Sequence, residues 1–121
     1  MGVKSYRQLL AWQKAMDLAV EVYRLSGSFP LIEKYRLTSQ ITRAVTSVPA
    51  NIAEGSARST RKDYAAFIAI ARGSLAETET YLLLAQRLGY LDPEIAAPAM
   101  QTLNEVERML AVLRTRLLQA P

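Results

Sequence analysis

Gln40, Arg43, Ser47, Asn51, Glu54 and Arg58 recur at steps of three, four, four, three and four, the spacing that lines side chains up on one helix face. The row holds amides, a carboxylate and two guanidiniums, groups that can line a polar interface or grip phosphates. The plain alternative is a solvated flank with helix-spaced charge pairs, which are common and weak. A second row, Leu37, Ile41, Val45, Val48 and Ile52, is wholly apolar and lies about a quarter turn from the first. The polar row therefore sits at the edge of whatever this helix buries.

Pro49 falls inside both patterns. A proline there removes one backbone hydrogen bond and crowds the Val45 carbonyl. The apolar spacing continues across it, which predicts one kinked helix rather than two. The kink either aims Asn51 and Glu54 at a partner or curves the helix around a core. Gln40, Asn51 and Glu54 are candidate structural polar residues at a helix–helix or subunit contact. Arg43, Arg58, Arg61 and Lys62 are the candidate nucleic-acid-binding residues, the last three grouped where this helix gives way to the next.

The chemistry that is missing narrows the function further. The 121 residues contain no histidine and no cysteine, which removes the usual zinc, haem and ferritin-type di-iron ligand sets and the common nucleophile–imidazole pairs. No metal, no cofactor and no catalytic residue is expected. Glu77 and Glu79, two available carboxylates, project about 160° apart on a helix, so an enzyme is the weakest reading. The net charge of +4 is uneven: residues 34–62 carry six basic groups against Glu54 alone. A field of that kind favours polyanions or an acidic protein face.

Half of the residues are hydrophobic, so a folded chain is expected, and one domain over residues 1–121 can bury about two-thirds of its unfolded surface. The longest apolar run, Tyr64 to Ala71, is eight residues, too short to span a bilayer. The first residues lack an apolar core followed by a cleavage site, so no secretory leader is expected; a cytoplasmic location and no membrane partner are the matching expectations.

The elements that must position these groups are helices. The first is expected to start between Tyr6 and Leu10 and to end near Ser26-Gly27, with Leu9, Trp12, Met16, Ala19 and Tyr23 on its apolar stripe and Trp12 as a core anchor. The second should start at Thr38 or Ser39, either able to cap it, and end around Gly55 to Ala57. Thr60 with Asp63 resembles a capping box for the third, from about Arg61 to Leu88. That helix is apolar on several sides, which suggests a central position or burial by a second subunit. Gly73 costs about 1 kcal/mol against alanine in mid-helix, and close packing is its expected reason. Asp92-Pro93 opens the fourth helix, where Pro98 is expected to break or bend the first turns before Leu103, Val106, Leu110, Leu113 and Leu117 form a stripe. Short connections imply an all-α, antiparallel up-down-up-down four-helix bundle.

Trp12-Gln13-Lys14-Ala15, Phe29-Pro30, Leu37-Thr38-Ser39-Gln40-Ile41, Pro49-Ala50-Asn51-Ile52-Ala53-Glu54-Gly55, Arg72-Gly73-Ser74-Leu75 and Leu88-Gly89-Tyr90-Leu91 together resemble the 23S rRNA intervening sequence proteins, a four-helix-bundle family that includes the accessory variability determinant protein of diversity-generating retroelements. The match follows nearly the whole chain in order, and the string from Pro49 to Gly55 is its most specific part. Arg36 stands where the family usually has glycine. The resemblance implies a ring-shaped homo-oligomer, typically a pentamer, and a role beside nucleic acid.

The leading expectation is a non-enzymatic oligomeric protein that binds RNA or DNA backbone as an accessory factor, with a nucleic-acid-processing protein as a further partner. Repeating a basic segment around a ring multiplies weak phosphate contacts. The alternative is a protein-interaction adaptor whose basic patch docks an acidic partner. Tyr6, Tyr35 and Tyr64 are able to stack on bases, but tyrosines in an apolar helical pattern are more often core.

Overall fold

The computed structural model of the chain describes residues 5–119; residues 1–4 and 120–121, the ends of the expected domain, lie outside the described residues. A 3-10 turn, Tyr6–Gln8, is capped by the Ser5 hydroxyl and leads into α1, Leu10–Ser26. Helix α1 turns Ala11, Ala15, Leu18, Ala19 and Val22 inward. Trp12 packs against the core from its edge and is not fully inside it. It is half-buried and sits edge-on against Tyr6 with ring centroids 5.3 Å apart. Three alanines on the inner face let α1 lie close to its neighbours, so the indole fits only at the flank.

Helix α2 spans Leu37–Ser56 as one helix with Pro49 inside it. Its start is capped from outside, not by Thr38 or Ser39. The Glu33 carboxylate, at the end of the 3-10 turn Leu31–Glu33, accepts the Leu37 amide at 3.2 Å and the Tyr90 hydroxyl at 2.8 Å. That second bond raises the Tyr90 pKa above its ordinary value, since deprotonation would set two anions side by side. Arg36 enters the helix at φ −120°, so the turn does not need the glycine usual in the family. Thr42 and Thr46 donate their hydroxyls to carbonyls one turn back, at 2.8 and 2.9 Å, a bonding pattern that bends helices. The stripe Leu37, Ile41, Val45, Val48 and Ile52 is buried throughout.

Helix α3, Arg61–Arg87, opens as expected: the Thr60 hydroxyl accepts the Asp63 amide at 3.1 Å. It closes through Gly89, whose φ of +77° lets the Tyr90 amide reach the Ala85 carbonyl at 2.9 Å and the Gly89 amide reach the Gln86 carbonyl at 3.1 Å. Helix α4, Pro93–Leu118, is capped by Asp92, which accepts the Glu94 amide at 2.8 Å. Pro98 does not break it. The proline is exposed and forfeits one bond near the helix start.

Each helix packs on its sequence neighbours, α1 closes the square against α4, and no Cα atoms of the diagonal helices come within 8 Å among the described residues. The cross-links fix direction. Ser47 meets Ser74 while Gln40 meets Tyr81; Lys14 meets Glu105 while Glu21 meets Thr102. Residue numbers rise on one side as they fall on the other, so the bundle is antiparallel, up-down-up-down. Leu18, Ile41, Ile52, Ile68, Leu82 and Leu110 fill its centre. No helix among the described residues is long and apolar enough to cross a membrane.

Two glycines in the packed helices contrast. Helix α2 ends at Ser56, within the expected Gly55–Ala57 range, and Gly55 is its penultimate residue. It lies inside the helix where α3 comes closest: a Cβ there would sit 2.8 Å from the Phe67 Cβ and 3.0 Å from the Tyr64 ring. Gly73 packs against nothing within 4 Å, and Ala66, Ala69, Ile70 and Leu84 on the same side of α3 are exposed. The face expected to need cover is left bare by the other three helices. Replacing Gly55 with alanine should lower unfolding free energy by about 1–3 kcal/mol through overpacking. Gly73→Ala, measured by the same urea titrations, should cost nothing or add up to about 1 kcal/mol. Equal effects at both positions would contradict the close α2–α3 approach.

Candidate functional site

The polar row of α2 faces α3 across a seam of hydrogen bonds. The Ser74 hydroxyl, buried on α3, donates to the Ser47 hydroxyl oxygen at 3.0 Å. The Asn51 amide nitrogen donates to the same oxygen and to the Ser47 carbonyl, both at 2.8 Å. One turn along α3, Thr78 is fully buried and donates to the Ser74 carbonyl at 2.8 Å. At the far end, the Tyr81 hydroxyl donates to Gln40 Oε1 at 2.8 Å. Asn51 and Gln40 thus stand at the α2–α3 contact, Asn51 by way of Ser47.

Glu54 is exposed and pairs with Arg58 one turn on, at 2.7 Å, without reaching another helix.

A pocket of about 500 Å3 opens beside this seam. Tyr35, Ser39, Gln40 and Arg43 line one wall, and Ser74, Glu77 and Tyr81 the other. Tyr35 is 85% exposed, not part of the core as its pattern suggested. It stands between exposed Lys34 and Arg36, with the Lys34 ammonium 5.4 Å from its ring centre. Arg43 is exposed and has no ion pair among the described residues.

The four expected nucleic-acid-binding residues do not form one patch. Arg58, Arg61 and Lys62 lie at the α2–α3 junction, whereas Arg43 lies 15 positions before Arg58, about 22 Å along the helix axis. Two of the junction arginines already have partners. Arg58 pairs with Glu54 and lies 4.5 Å over the Phe67 ring. Arg61 donates to the Leu117 carbonyl at 3.2 Å and to the Arg116 carbonyl, a cation at the end of α4 where the helix dipole favours one. Lys62 is exposed and has no ion pair among the described residues.

Sequence reasoning passed over Ser74, Tyr81 and Arg72. Arg72 grips Glu107 of α4 with Nε and one terminal nitrogen, at 2.7 to 3.2 Å, and those bonds raise its pKa. The spacing sets Ser74 beside Gly73, away from the Leu75 stripe of α3, yet the structure buries it, and a buried hydroxyl needs a partner.

A second concavity, about 600 Å3, runs between α1 and α2. It is an open apolar groove that includes Trp12, Met16, Val20 and Tyr23 on one side and Pro49, Ala50 and Ala53 on the other.

Residues 7–112 match the family described as 23S rRNA-intervening sequence protein. The chain belongs to this family. Among solved structures, a protein of unknown function from the S23 ribosomal protein family of Bacteroides thetaiotaomicron superposes with a TM-score of 0.79 at 27% identity, over 87% of this chain and 98% of that one. No curated protein matches the sequence. In this intervening sequence protein, the string Pro49 to Gly55 has a physical reading residue by residue. Asn51 ties Ser47 into the seam, Ile52 fills the core, Gly55 admits α3, and Pro49, Ala50 and Ala53 floor the apolar groove.

Asn51→Ala should therefore cost about 1 kcal/mol of stability by removing its two hydrogen bonds to Ser47, while the Ser74–Ser47 bond across the seam remains. Glu54→Ala removes only an exposed helical ion pair and should cost no more than about 0.5 kcal/mol. Denaturant midpoints of the two variants check the contrast; a larger loss for Glu54→Ala would place that carboxylate in a contact beyond the single chain.

Proposed function

We propose that this intervening sequence protein is a non-enzymatic, oligomeric accessory protein that binds the backbone of RNA or DNA through the start of α2 and the pocket beside it. The observation that carries the reading is Tyr35, an aromatic ring 85% exposed between Lys34 and Arg36, lining the same pocket as the free guanidinium of Arg43. A solvated aromatic flanked by cations is the arrangement that holds single strands: the cations track phosphates and the ring stacks on a base. The names of the family and of its solved relative, 23S rRNA-intervening sequence protein and S23 ribosomal protein family, point in the same direction.

Within the expected binding set, Arg43 and Lys62 are free to meet phosphate. Arg58 and Arg61 must first leave Glu54 and the end of α4. Their share of the affinity is smaller, and Lys34 and Arg36 take their place. Self-association supplies the avidity. The bare outer side of α3 and the apolar groove beside Trp12 leave more apolar surface than a monomer needs. Two different patches meeting head to tail close into a ring when the rotation allows. The family resemblance puts the subunit number at five.

Binding of a labelled single-stranded RNA across a salt series tests the reading. Affinity should fall steeply with salt, and reversing Lys34, Arg36 and Arg43 to glutamate should reduce the log–log slope by about 0.7 for each phosphate no longer neutralised. Tyr35→Ala should cost about 1–3 kcal/mol. Reversing Arg58 and Arg61 should cost less than reversing Arg36 and Arg43. If no RNA or DNA binds at low salt while an acidic protein does, the adaptor reading replaces this one.

A further inference from the structure

The pocket between α2 and α3 holds two opposite charges that do not neutralise each other. Arg43 and Glu77 both line it, and neither has an ion-pair partner among the described residues. Two of the polar contacts around them are already made within the protein. Tyr81 donates to Gln40 Oε1, and Ser74 donates to Ser47. With its oxygen engaged by Tyr81, the Gln40 amide has its N–H groups left to offer. The pocket therefore asks for an anion at Arg43, a pair of donors at Glu77 and a flat body against the exposed Tyr35 ring.

We infer that this pocket takes a guanosine phosphate, free or within a single strand, with Arg43 on the phosphate and the Glu77 carboxylate on the base. Guanine presents two adjacent N–H donors on its Watson–Crick edge, and a carboxylate is acceptor-only with two oxygens to meet them. Adenine and cytosine each place a ring-nitrogen acceptor beside their amino group. Uracil flanks its single N–H with carbonyls. Each of those three would set a lone pair against Glu77. Base edges read by hydrogen bonds, with the ring stacked on an aromatic side chain, are how proteins recognise unpaired nucleotides. The volume, about 500 Å3, suits a ligand of nucleotide size. The in-strand form deepens the nucleic-acid reading and rests on it; the free nucleotide does not.

Two measurements on the full chain separate these cases. In the first, an oligouridine carrying one central guanosine is compared with the same oligomer carrying adenosine, by fluorescence anisotropy. The guanosine oligomer should bind about ten-fold tighter, the worth of hydrogen bonds to a charged group. Glu77→Gln should bring the two affinities together, because an amide offers one acceptor and one donor where two acceptors are needed. In the second, guanosine and adenosine 5′-monophosphates are titrated by calorimetry, with the same variant as control. Oligomers that bind with equal affinity overturn the in-strand assignment and leave the backbone reading standing. Loss of all oligomer binding overturns the backbone reading. The pocket assignment then stands if guanosine monophosphate binds in a Glu77-dependent way, and falls if it does not. A guanosine preference that survives Glu77→Gln overturns the role given to the carboxylate.

Discussion

The close approach of α2 and α3 is the constraint on which the other features depend. At one end the missing side chain of Gly55 brings the helix backbone against Phe67 and Tyr64. In the middle, Ser47 and Ser74 meet directly, which only two short side chains allow. Once the two helices are that close, no room is left between them for long polar groups. Gln40, Arg43 and Glu77 are pushed to the lip of the seam, and the pocket is the space they enclose. The site is thus a by-product of tight packing beside it rather than a hollow carved into the core.

Electrostatics divides the basic groups in a way that charge counting does not. The excess of positive charge in residues 34–62 is real in the sequence. Folding then assigns part of it to internal work. Arg61 satisfies carbonyls at the end of α4, and Arg58 is shared between Glu54 and an aromatic face. The cations left over are Lys34, Arg36 and Arg43, near the start of α2 and in the pocket, and Lys62 at the α2–α3 junction. Arg72 belongs to the structural group as well, since its fork holds Glu107 and joins α3 to α4.

The connector before α2 shows how a few residues serve fold and site together. Glu33 caps α2 and holds the Tyr90 hydroxyl of the α3–α4 turn. With that carboxylate anchored, the next residues, Lys34, Tyr35 and Arg36, are carried outward at a fixed place on the rim. A cap supplied by Thr38 or Ser39 would have left this segment without that tether.

Helix number, limits and polarity were legible in the residue spacing. The stripe Leu37 to Ile52, the Thr60 and Asp92 caps and the Gly89 stop follow from local rules that a chain obeys whatever it packs against. So does the absence of imidazole and thiol chemistry, which is a property of composition. What lay beyond those rules was every question of distance between helices. Trp12 and Tyr35 share the apolar patterns of core residues yet stand at a groove and in solvent, because periodicity reports which side a residue faces and not what lies opposite it. Gly55 and Gly73 look alike in a helix, and only the neighbour's position separates a required glycine from a bare one. The same holds for the arginines: a charge is visible in the sequence, but whether it has a partner is decided when a second helix brings, or fails to bring, an oxygen within reach.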